Sequence, residues 1–301
     1  MTIRLGLVDC DTSHCVAFTQ RLNHLDVDEA QWVAGAEVVA AYPGTSAMSP
    51  ERIPGFTQQL RDYGITIVEA ATDLIGQVDA VLIHSLQGSV HVERAQPFLE
   101  AGIPLFVDKP LASSVADART LLAEAQRRKL LLWSSSSLRF APEVQDIQAR
   151  ADEIGPVTGV SAHGPASQHP GNPGLFHYAV HTVHLMYQLM GLGCETVRLA
   201  SNADTDVAVG RWSDGRFGVV RGLRRGATPF GVTVFGEKKV ATTAVGTTDI
   251  YSALLRRVVA AFESGKAPLE PADMLEAVAF QEAALQSMDQ GGAEVRLATA
   301  A

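Results

Sequence analysis

The feature that most constrains the fold is an alternation, over the first 133 residues, of short apolar runs with segments of helical periodicity. The apolar runs predict six strands, at 3–8, 36–41, 65–68, 79–83, 104–107 and 130–133. Strands that alternate with helices form βαβ units, and their right-handed crossovers produce a parallel sheet. Six such strands match the size of one doubly wound, Rossmann-type α/β domain, a fold that commonly holds a nucleotide.

A different pattern begins near residue 134. Closely spaced strands are predicted at 195–201, 206–213, 216–224 and 230–240, with helices over 174–190, 248–264 and 271–289. Turn residues such as Ser213-Asp214-Gly215 favour hairpins between these strands. We therefore predict a dinucleotide-binding domain at 1–133. At 134–301 we predict an α+β domain for substrate binding and oligomerisation, with a mostly antiparallel open sheet.

Charge and composition exclude several kinds of partner. The 301 residues carry a net charge of −9 and no dense Lys/Arg cluster, which argues against nucleic acid. Uncharged runs are too short or too interrupted to span a bilayer, and the N-terminus lacks a signal peptide's basic region. The three cysteines, Cys10, Cys15 and Cys194, show no zinc spacing and fit a reducing compartment. We expect a soluble cytoplasmic protein with neither a nucleic-acid nor a membrane partner.

The first predicted strand runs into GLVDCDTSH, where a dinucleotide-binding protein carries the GxGxxG fingerprint. Aligned on Gly6, the other two glycine positions hold Val8 and Asp11. The carboxylates of Asp9 and Asp11 are then expected where a pyrophosphate meets the helix N-terminus. Capping of the helix by a hydroxyl side chain is the alternative interpretation. The candidate cofactor-binding residues here are Gly6, Asp9, Asp11, Thr12, Ser13 and His14.

The second strand ends in Tyr42-Pro43-Gly44. This segment offers neither an acidic side chain for the ribose hydroxyls nor an arginine for a 2′-phosphate, so the choice between NAD and NADP stays open. Tyr42 either stacks on an adenine or starts a turn.

The segments HSLQGSVH (84–91) and VDKPLASS (107–114) follow the fourth and fifth strands, at the edge where open α/β sheets bind ligands. Lys109 precedes a proline and is therefore held in an extended conformation. A lysine fixed at a strand end can donate to a substrate hydroxyl. The alternative is a surface lysine paired with Asp108 in a solvated turn.

The segment GLFHYAVHTVHLMYQLMG carries three histidines, His177, His181 and His184. At about 100° per residue they fall on one narrow stripe of the predicted helix. The stripe is an acid–base face lining a cleft, a metal site, or a set of histidines with a structural role. Because the glutamate of an HExxH motif is absent, no metal ligand is assigned. Two further histidines, His163 and His169, flank a Pro/Gly-rich loop that we expect to overhang the same cleft.

The segments VDKPLASS, SLRFAP and the histidine helix together resemble the Gfo/Idh/MocA family, which includes glucose-fructose oxidoreductase and inositol dehydrogenase. The resemblance covers essentially the whole chain and implies an NAD(P)-dependent enzyme that oxidises or reduces a sugar or polyol hydroxyl. Asp108-Lys109-Pro110 is similar to the family's EKP motif, and His181 to the histidine of its DxGxHxxD helix pattern. DAVLIHSLQGSVH resembles DAVxIATPNxxH, which implies that His84, Ser85 and His91 lie beside the cofactor.

The sequence departs from the family in three respects. The glycine fingerprint is mostly lost, the acidic residue after the second strand is missing, and His177 and His184 replace both carboxylates of the helix motif. An imidazole, with an unperturbed pKa near 6.5, therefore stands where an aspartate shares the proton transfer.

We expect His181 or His177 to take the hydroxyl proton and Lys109 to orient or polarise the oxygen. The candidate substrate residues are Arg139, His163, His169 and His184. A homo-oligomer formed through the C-terminal sheet is also expected. Three alternatives remain: tightly bound NAD supporting a lyase or glycosidase reaction without net redox change, a non-catalytic sugar-binding or regulatory protein, and a metal-dependent enzyme that uses the histidine helix.

Overall fold

The computed structural model describes residues 2–298, which form two compact units. The first combines the described residues up to Ala112 with Ala116–Ser135 and Tyr251–Glu270; the second comprises Ser113–Val115, Ser136–Ile250 and the described residues from Pro271 onward. The segment Tyr251–Glu270 therefore groups with the first unit, although its sequence position lies in the predicted second domain. Residues 1 and 299–301 of the predicted domains lie outside the described part of the chain.

The secondary structure is as follows. The strands are β1 (Ile3–Val8), β2 (Ala36–Tyr42), β3 (Thr66–Ile67), β4 (Ala80–Ile83), β5 (Leu105–Val107), β6 (Leu132–Ser134), β7 (Val157–Pro165), β8 (Cys194–Ser201), β9 (Thr205–Trp212), β10 (Phe217–Leu223), β11 (Phe230–Gly236), β12 (Val240–Val245) and β13 (Val295–Arg296). The α-helices are α1 (His14–Leu22), α2 (Ile53–Asp62), α3 (His91–Glu100), α4 (Val115–Arg128), α5 (Pro142–Ala149), α6 (Ala151–Ile154), α7 (Val180–Met190), α8 (Ile250–Ser264) and α9 (Pro271–Asp289). Short 3-10 helices lie at Glu29–Gln31, Pro50–Arg52, Ala71–Leu74, Gly88–Val90, Ser137–Phe140 and Gly174–Phe176.

The first unit is built on a six-stranded parallel sheet with the order β3-β2-β1-β4-β5-β6. Its central strands are buried along their length, as their continuous apolar sequences require, with α1 packed on β2 and α3 on β4 and β5. The chain reverses its direction of travel across the sheet between β1 and β4. Ligands of open α/β sheets bind at this switch point, beyond the carboxyl ends of the strands.

The second unit contains a seven-stranded sheet with the order β12-β11-β7-β10-β9-β8-β13. Its strands pair antiparallel except for β7 and β10, which run parallel. Helix α7 packs on β7 and β10, and α9 packs on β8. The predicted fold class is therefore confirmed: a Rossmann-type parallel sheet and an α+β part with a mostly antiparallel sheet.

Two predicted elements differ from the structure. The helix predicted over 174–190 begins only at Val180, since Gly174–Phe176 form a 3-10 helix and the next three residues form a turn. The strand predicted over 230–240 is two strands, β11 and β12, joined by a turn in which the Gly236 amide donates to the Lys239 carbonyl at 3.1 Å. Within residues 2–298, none of the helices has the length and apolar character needed to cross a membrane.

Candidate active site

The turn that follows β1 occupies the position of a dinucleotide fingerprint. Asp9 comes directly after β1 with a φ of +66°, a left-handed conformation that favours glycine, and α1 begins at His14. In the fingerprint the first glycine makes the tight turn and the third allows the helix to pack closely on the strand. The structure therefore places the three glycine positions at Asp9, Asp11 and His14, three residues later than the alignment on Gly6 predicts.

The other predicted residues of this segment have local roles. Gly6 lies inside β1, where a Cβ atom would come 3.2 Å from Leu74 Cδ1, so packing accounts for a glycine there. Ser13 is exposed and makes no capping hydrogen bond to α1. Thr12 Oγ1 accepts a long hydrogen bond of 3.5 Å from the His14 amide. The capping alternative thus rests on one weak contact, and a role for these residues in cofactor binding stays a prediction.

The two carboxylates of the turn are buried and hydrogen-bonded to α3 and to the loop that follows β4. Arg94 Nε donates to Asp9 Oδ2 at 2.9 Å, and the Ser85 hydroxyl donates to the same oxygen. Asp11 accepts from the Leu86 amide at 3.1 Å. Burial raises the pKa of both carboxyl groups, and in Asp9 it outweighs the opposing effects of Ser85 and Arg94. The buried side chains of Asp9 and Asp11 thus occupy the turn.

The segment after β2 lies directly on this turn. The backbone amides of Asp9 and Cys10 donate to the carbonyls of Tyr42 and Pro43, at 2.9 and 2.8 Å. A Cβ atom on Gly44, whose φ is +67°, would overlap the Asp9 carboxylate. The segment after β2 therefore occupies the side of the crevice between β1 and β2. In a protein with the glycine fingerprint, this space holds the ribose and the pyrophosphate.

A second buried cluster lies at the carboxyl ends of β4 and β5. His14 Nδ1 lies 2.5 Å from Asp108 Oδ2, and donor atoms of His14, His84 and Asp108 all lie within 4.8 Å of one another. Aromatic rings surround the cluster: Phe18 stacks on His14 at 4.9 Å and meets His84 edge-on at 5.2 Å, and Tyr251 meets His14 at 5.0 Å. Both ring nitrogens of His84 are buried without a hydrogen-bond partner among the described residues.

The electrostatics of this cluster follow from its burial. Burial lowers the pKa of His84 to about 3, so the ring is neutral near pH 7. Burial alone would raise the pKa of Asp108, but His14 and Lys109 hold it well below its ordinary value. The site therefore combines a neutral imidazole with a firmly ionised carboxylate.

Lys109 follows Asp108 at the end of β5 and is only 7% exposed. Its backbone amide donates to Asp108 Oδ1 at 2.8 Å. The alternative of a lysine in a solvated turn is therefore wrong. Nearby, His91 contacts the carbonyls of Ser85 and Leu111, at 2.9 and 3.0 Å, and so ties together the loops that follow β4 and β5.

In the second unit, two histidines of α7 converge on one serine. The Ser136 amide donates to His184 Nδ1 at 2.9 Å, and Ser136 Oγ lies 2.7 Å from His181 Nδ1. Because His184 Nδ1 accepts, the proton of a neutral His184 is on Nε2. Ser136 Oγ also accepts from the Leu138 amide at 3.2 Å and caps a short 3-10 helix. Ser136 thereby orients both imidazoles.

His177 does not share this helical face, so the predicted stripe of three histidines is wrong. It precedes α7, and its ring lies 5.7 Å from that of His169 and 6.3 Å from that of Tyr178. The reason is the late start of α7 described above. The histidines of this region therefore form two groups, one of His181 and His184 and one of His169 and His177.

The two remaining candidate substrate residues lie within elements of the second unit. Arg139 is 1% exposed and donates to Gln188 Oε1 at 3.3 Å; burial lowers its pKa to about 10 although Asp273 opposes the shift. His163 lies in β7 opposite Gly231, where a Cβ atom would come 2.5 Å from the imidazole. Their contact with substrate stays a prediction.

Among the residues that contact predicted site residues, Arg94 and Ser136 were not predicted themselves. Arg94 is separated from Asp9 by 85 positions, and no local pattern connects them. Ser136 belongs to a run of four serines, Ser134–Ser137, at the predicted domain boundary. A polar run directly after an apolar strand of a parallel sheet is the signal that points to Ser136.

Comparisons of sequence support one family. The family model GFO_IDH_MocA, described as an oxidoreductase family with an NAD-binding Rossmann fold, matches residues 28–136 and thus begins after the turn at 9–14. The YceM protein of Salmonella typhimurium is 31% identical over 124 residues, 41% of this chain and 40% of its own length. Inositol 2-dehydrogenase 3 of Saccharopolyspora erythraea is 30% identical over 151 residues, 49% of this chain and 42% of its own length. The matches thus span less than half of these relatives.

Comparisons of structure extend over the whole chain. Myo-inositol dehydrogenase from Lactobacillus casei, solved with NAD(H) and myo-inositol, superposes with a TM-score of 0.81 at 15% identity and covers 100% of this chain and 98% of its own. GenD2 from gentamicin A biosynthesis, solved with NAD, gives 0.80 at 18% identity, covering 98% and 96%. At these identities the likeness concerns the fold. The sequence match to the Gfo/Idh/MocA family model is confined to residues 28–136, which contain strands β2 to β6 of the parallel sheet.

Proposed function

We propose that this chain is an oxidoreductase that acts on a hydroxyl or carbonyl group of a sugar-like or polyol small molecule. The observation that carries the proposal is Lys109, a buried lysine at the carboxyl end of β5 beside the ionised Asp108. This is the edge of the sheet at which α/β enzymes bind ligands. An ammonium group held there donates a hydrogen bond to a substrate oxygen and polarises a carbonyl. The family match over residues 28–136 includes this segment.

In this proposal His181 moves the proton of the substrate hydroxyl. Its contact of 2.7 Å with Ser136 Oγ fixes the orientation of the ring. His177 is the alternative base, and His184, His163, His169 and Arg139 are proposed to shape the substrate site. An imidazole suits the role because its unperturbed pKa, near 6.5, lies close to neutral pH.

NAD or NADP is the redox partner that the family implies, and a nicotinamide supplies a hydride acceptor when bound. The order of the parallel sheet suits a dinucleotide. The turn after β1 does not fit its pyrophosphate: Asp9, Asp11 and His14 stand at the three glycine positions, and the segment after β2 is bonded to the turn. We therefore assign no residue to the dinucleotide and expect it to bind more weakly than to a glycine fingerprint.

The test is conversion of substrate. The chelator-treated protein is incubated with NAD or NADP and a panel of inositols, sugars and sugar acids, and the products are analysed by mass spectrometry. The proposal predicts that at least one compound gains or loses two hydrogen atoms and that His181→Gln abolishes the conversion. A product that instead differs by the elements of water would indicate lyase or glycosidase chemistry and would contradict it, as would conversion that survives substitution of both His181 and the alternative base, His177.

A homo-oligomer is also proposed, through the second sheet. Phe217, Gly159, Phe235 and Val240 are paired across β10, β7, β11 and β12 and therefore lie in one row on one face. Phe217, Phe235 and Val240 are 53%, 42% and 54% exposed. A row of exposed large apolar side chains is typical of a surface that associates with a partner.

A further inference from the structure

We propose that His14, His84 and Asp108 form a binding site for one divalent transition-metal ion of the zinc class. The site lies entirely within the first unit. It goes beyond the proposed oxidoreductase function and does not depend on it. The histidine helix, which the sequence suggested as the place for a metal, contributes none of its ligands.

The geometry supplies three converging donor atoms. His14 opens α1, His84 follows β4 and Asp108 follows β5, so the parallel sheet brings together three elements that are distant in sequence. Their donor atoms lie within 4.8 Å of one another. Two imidazole nitrogens and one carboxylate oxygen are a donor set that zinc and neighbouring transition metals accept, with further positions left for water or substrate.

The unpartnered ring of His84 is the second, independent observation. The residue is 0% exposed, and neither of its ring nitrogens has a hydrogen-bond partner within residues 2–298. Buried polar side-chain atoms in folded proteins nearly always have a partner. A metal ion held between His84 and the His14–Asp108 pair gives one of these nitrogens a partner, because the lone pair of a neutral imidazole is a metal ligand.

The surroundings of the cluster suit a bound ion. The Lys109 amide donates to Asp108 Oδ1 and leaves Oδ2 directed at His14 and the site, an arrangement in which an outer hydrogen bond orients a ligating carboxylate. The Phe18 ring packs against both histidines, and the Tyr251 ring packs against His14. The positive charge of Lys109 opposes a cation, so we expect Lys109→Met to bind the metal more tightly than the unchanged protein.

The test uses the full, untagged chain, freed of metal by a chelator and then titrated with Co²⁺ and Zn²⁺. We expect one equivalent of Co²⁺ to bind, to give visible d–d absorption, and to be displaced by Zn²⁺. The variants His84→Phe and Asp108→Asn should bind at least tenfold more weakly. His24→Gln, which changes an exposed histidine of the same unit, is the matched control and should bind like the unchanged protein.

Folding is checked by circular dichroism and thermal unfolding without metal. His84→Phe keeps an aromatic ring in an aromatic surrounding, so we expect it to fold and to lose only the increase in melting temperature that Zn²⁺ gives the unchanged protein. Absence of stoichiometric Co²⁺ and Zn²⁺ binding by the folded, unchanged protein would overturn the proposal, as would equal binding by His84→Phe. Neither result requires substrate or dinucleotide, so failure here is distinct from failure of the proposed oxidoreductase activity.

Discussion

At the scale of single residues, the turn after β1 departs most from the GxGxxG fingerprint of dinucleotide-binding proteins. A carboxylate at each of the first two glycine positions adds negative charge where a pyrophosphate needs backbone amides and open space. Asp9 also keeps the left-handed backbone that a glycine adopts without cost. The backbone of the turn thus has the shape of a phosphate-binding turn, but aspartate side chains stand where that turn has its first two glycines.

Replacing Asp11 with glycine should therefore strengthen dinucleotide binding. Asp11→Gly removes a buried carboxylate and its volume, and we expect the affinity for NAD to rise at least tenfold, measured by titration calorimetry. Asp11→Asn is the matched control, because it removes the charge and keeps the volume. Equal affinity in the unchanged protein and the glycine variant would show that the carboxylate does not limit binding.

His84 gives the stability of the metal-free protein a dependence on pH. Its folded pKa of about 3 lies below the ordinary value of 6.5, so between these values the unfolded chain binds a proton that the folded chain excludes. Asp108 favours the charged ring, whereas His14, Lys109 and His91 oppose it. The stabilising contribution is complete above pH 6.5 and declines as the pH falls, by at most about 1.4 kcal/mol per pH unit.

Urea unfolding of the metal-free protein from pH 7 to pH 4 measures this decline. His84→Phe has no proton to bind at this position, so the fall in its free energy of unfolding should be shallower. An identical slope in both proteins would show that His84 is not excluded from protonation in the folded state.

At the scale of elements, much of the first unit was predictable and the junctions between elements were not. Continuous apolar runs mark the buried parallel strands, because both faces of such a strand are covered. The parallel pairing of β7 with β10 has no local signal, since hairpin residues report only on strands adjacent in sequence. Helical periodicity also does not reveal that a 3-10 helix and a turn precede the start of α7 at Val180.

The candidate site shows the same limit. Lys109 and His181 could be found because sequence motifs mark them. The pairing of Asp9 with Arg94 and of His14 with Asp108 arises only when the sheet brings distant segments together. The shift of the fingerprint by three residues has a different origin: the end of β1 was predicted correctly at residue 8, but the alignment was anchored on Gly6, the glycine inside the strand.

Ser136 contacts both the 3-10 helix at Ser137–Phe140 and helix α7, so we expect its replacement to affect both elements. Ser136→Ala loses the cap on the Leu138 amide and the contact with His181, so we expect a loss of about 1 kcal/mol in the free energy of unfolding. Turnover should fall further than stability, because His181 loses its orientation. Ser136→Thr keeps the hydroxyl and is the control; unchanged turnover in the alanine variant would show that Ser136 does not orient His181 for the reaction.

At the scale of the whole molecule, the exposed face of the second sheet predicts self-association. Phe235→Glu places a charge in the middle of the apolar row, and we expect it to lower the molar mass measured by light scattering after gel filtration. Ile75→Ser, at an exposed apolar residue of the first unit, is the control and should leave the mass unchanged. A monomeric unchanged protein would contradict the proposed oligomer.

The central claim is that Lys109 takes part in the reaction of a polyol oxidoreductase. The most direct test measures kcat/KM of the unchanged protein and of Lys109 variants with the first substrate found in the panel. We predict that Lys109→Met lowers kcat/KM by at least about 100-fold, the range in which a positioned acid–base group contributes, and that Lys109→Arg retains part of the activity through its positive charge. An unchanged kcat/KM in the folded Lys109→Met variant would contradict the account.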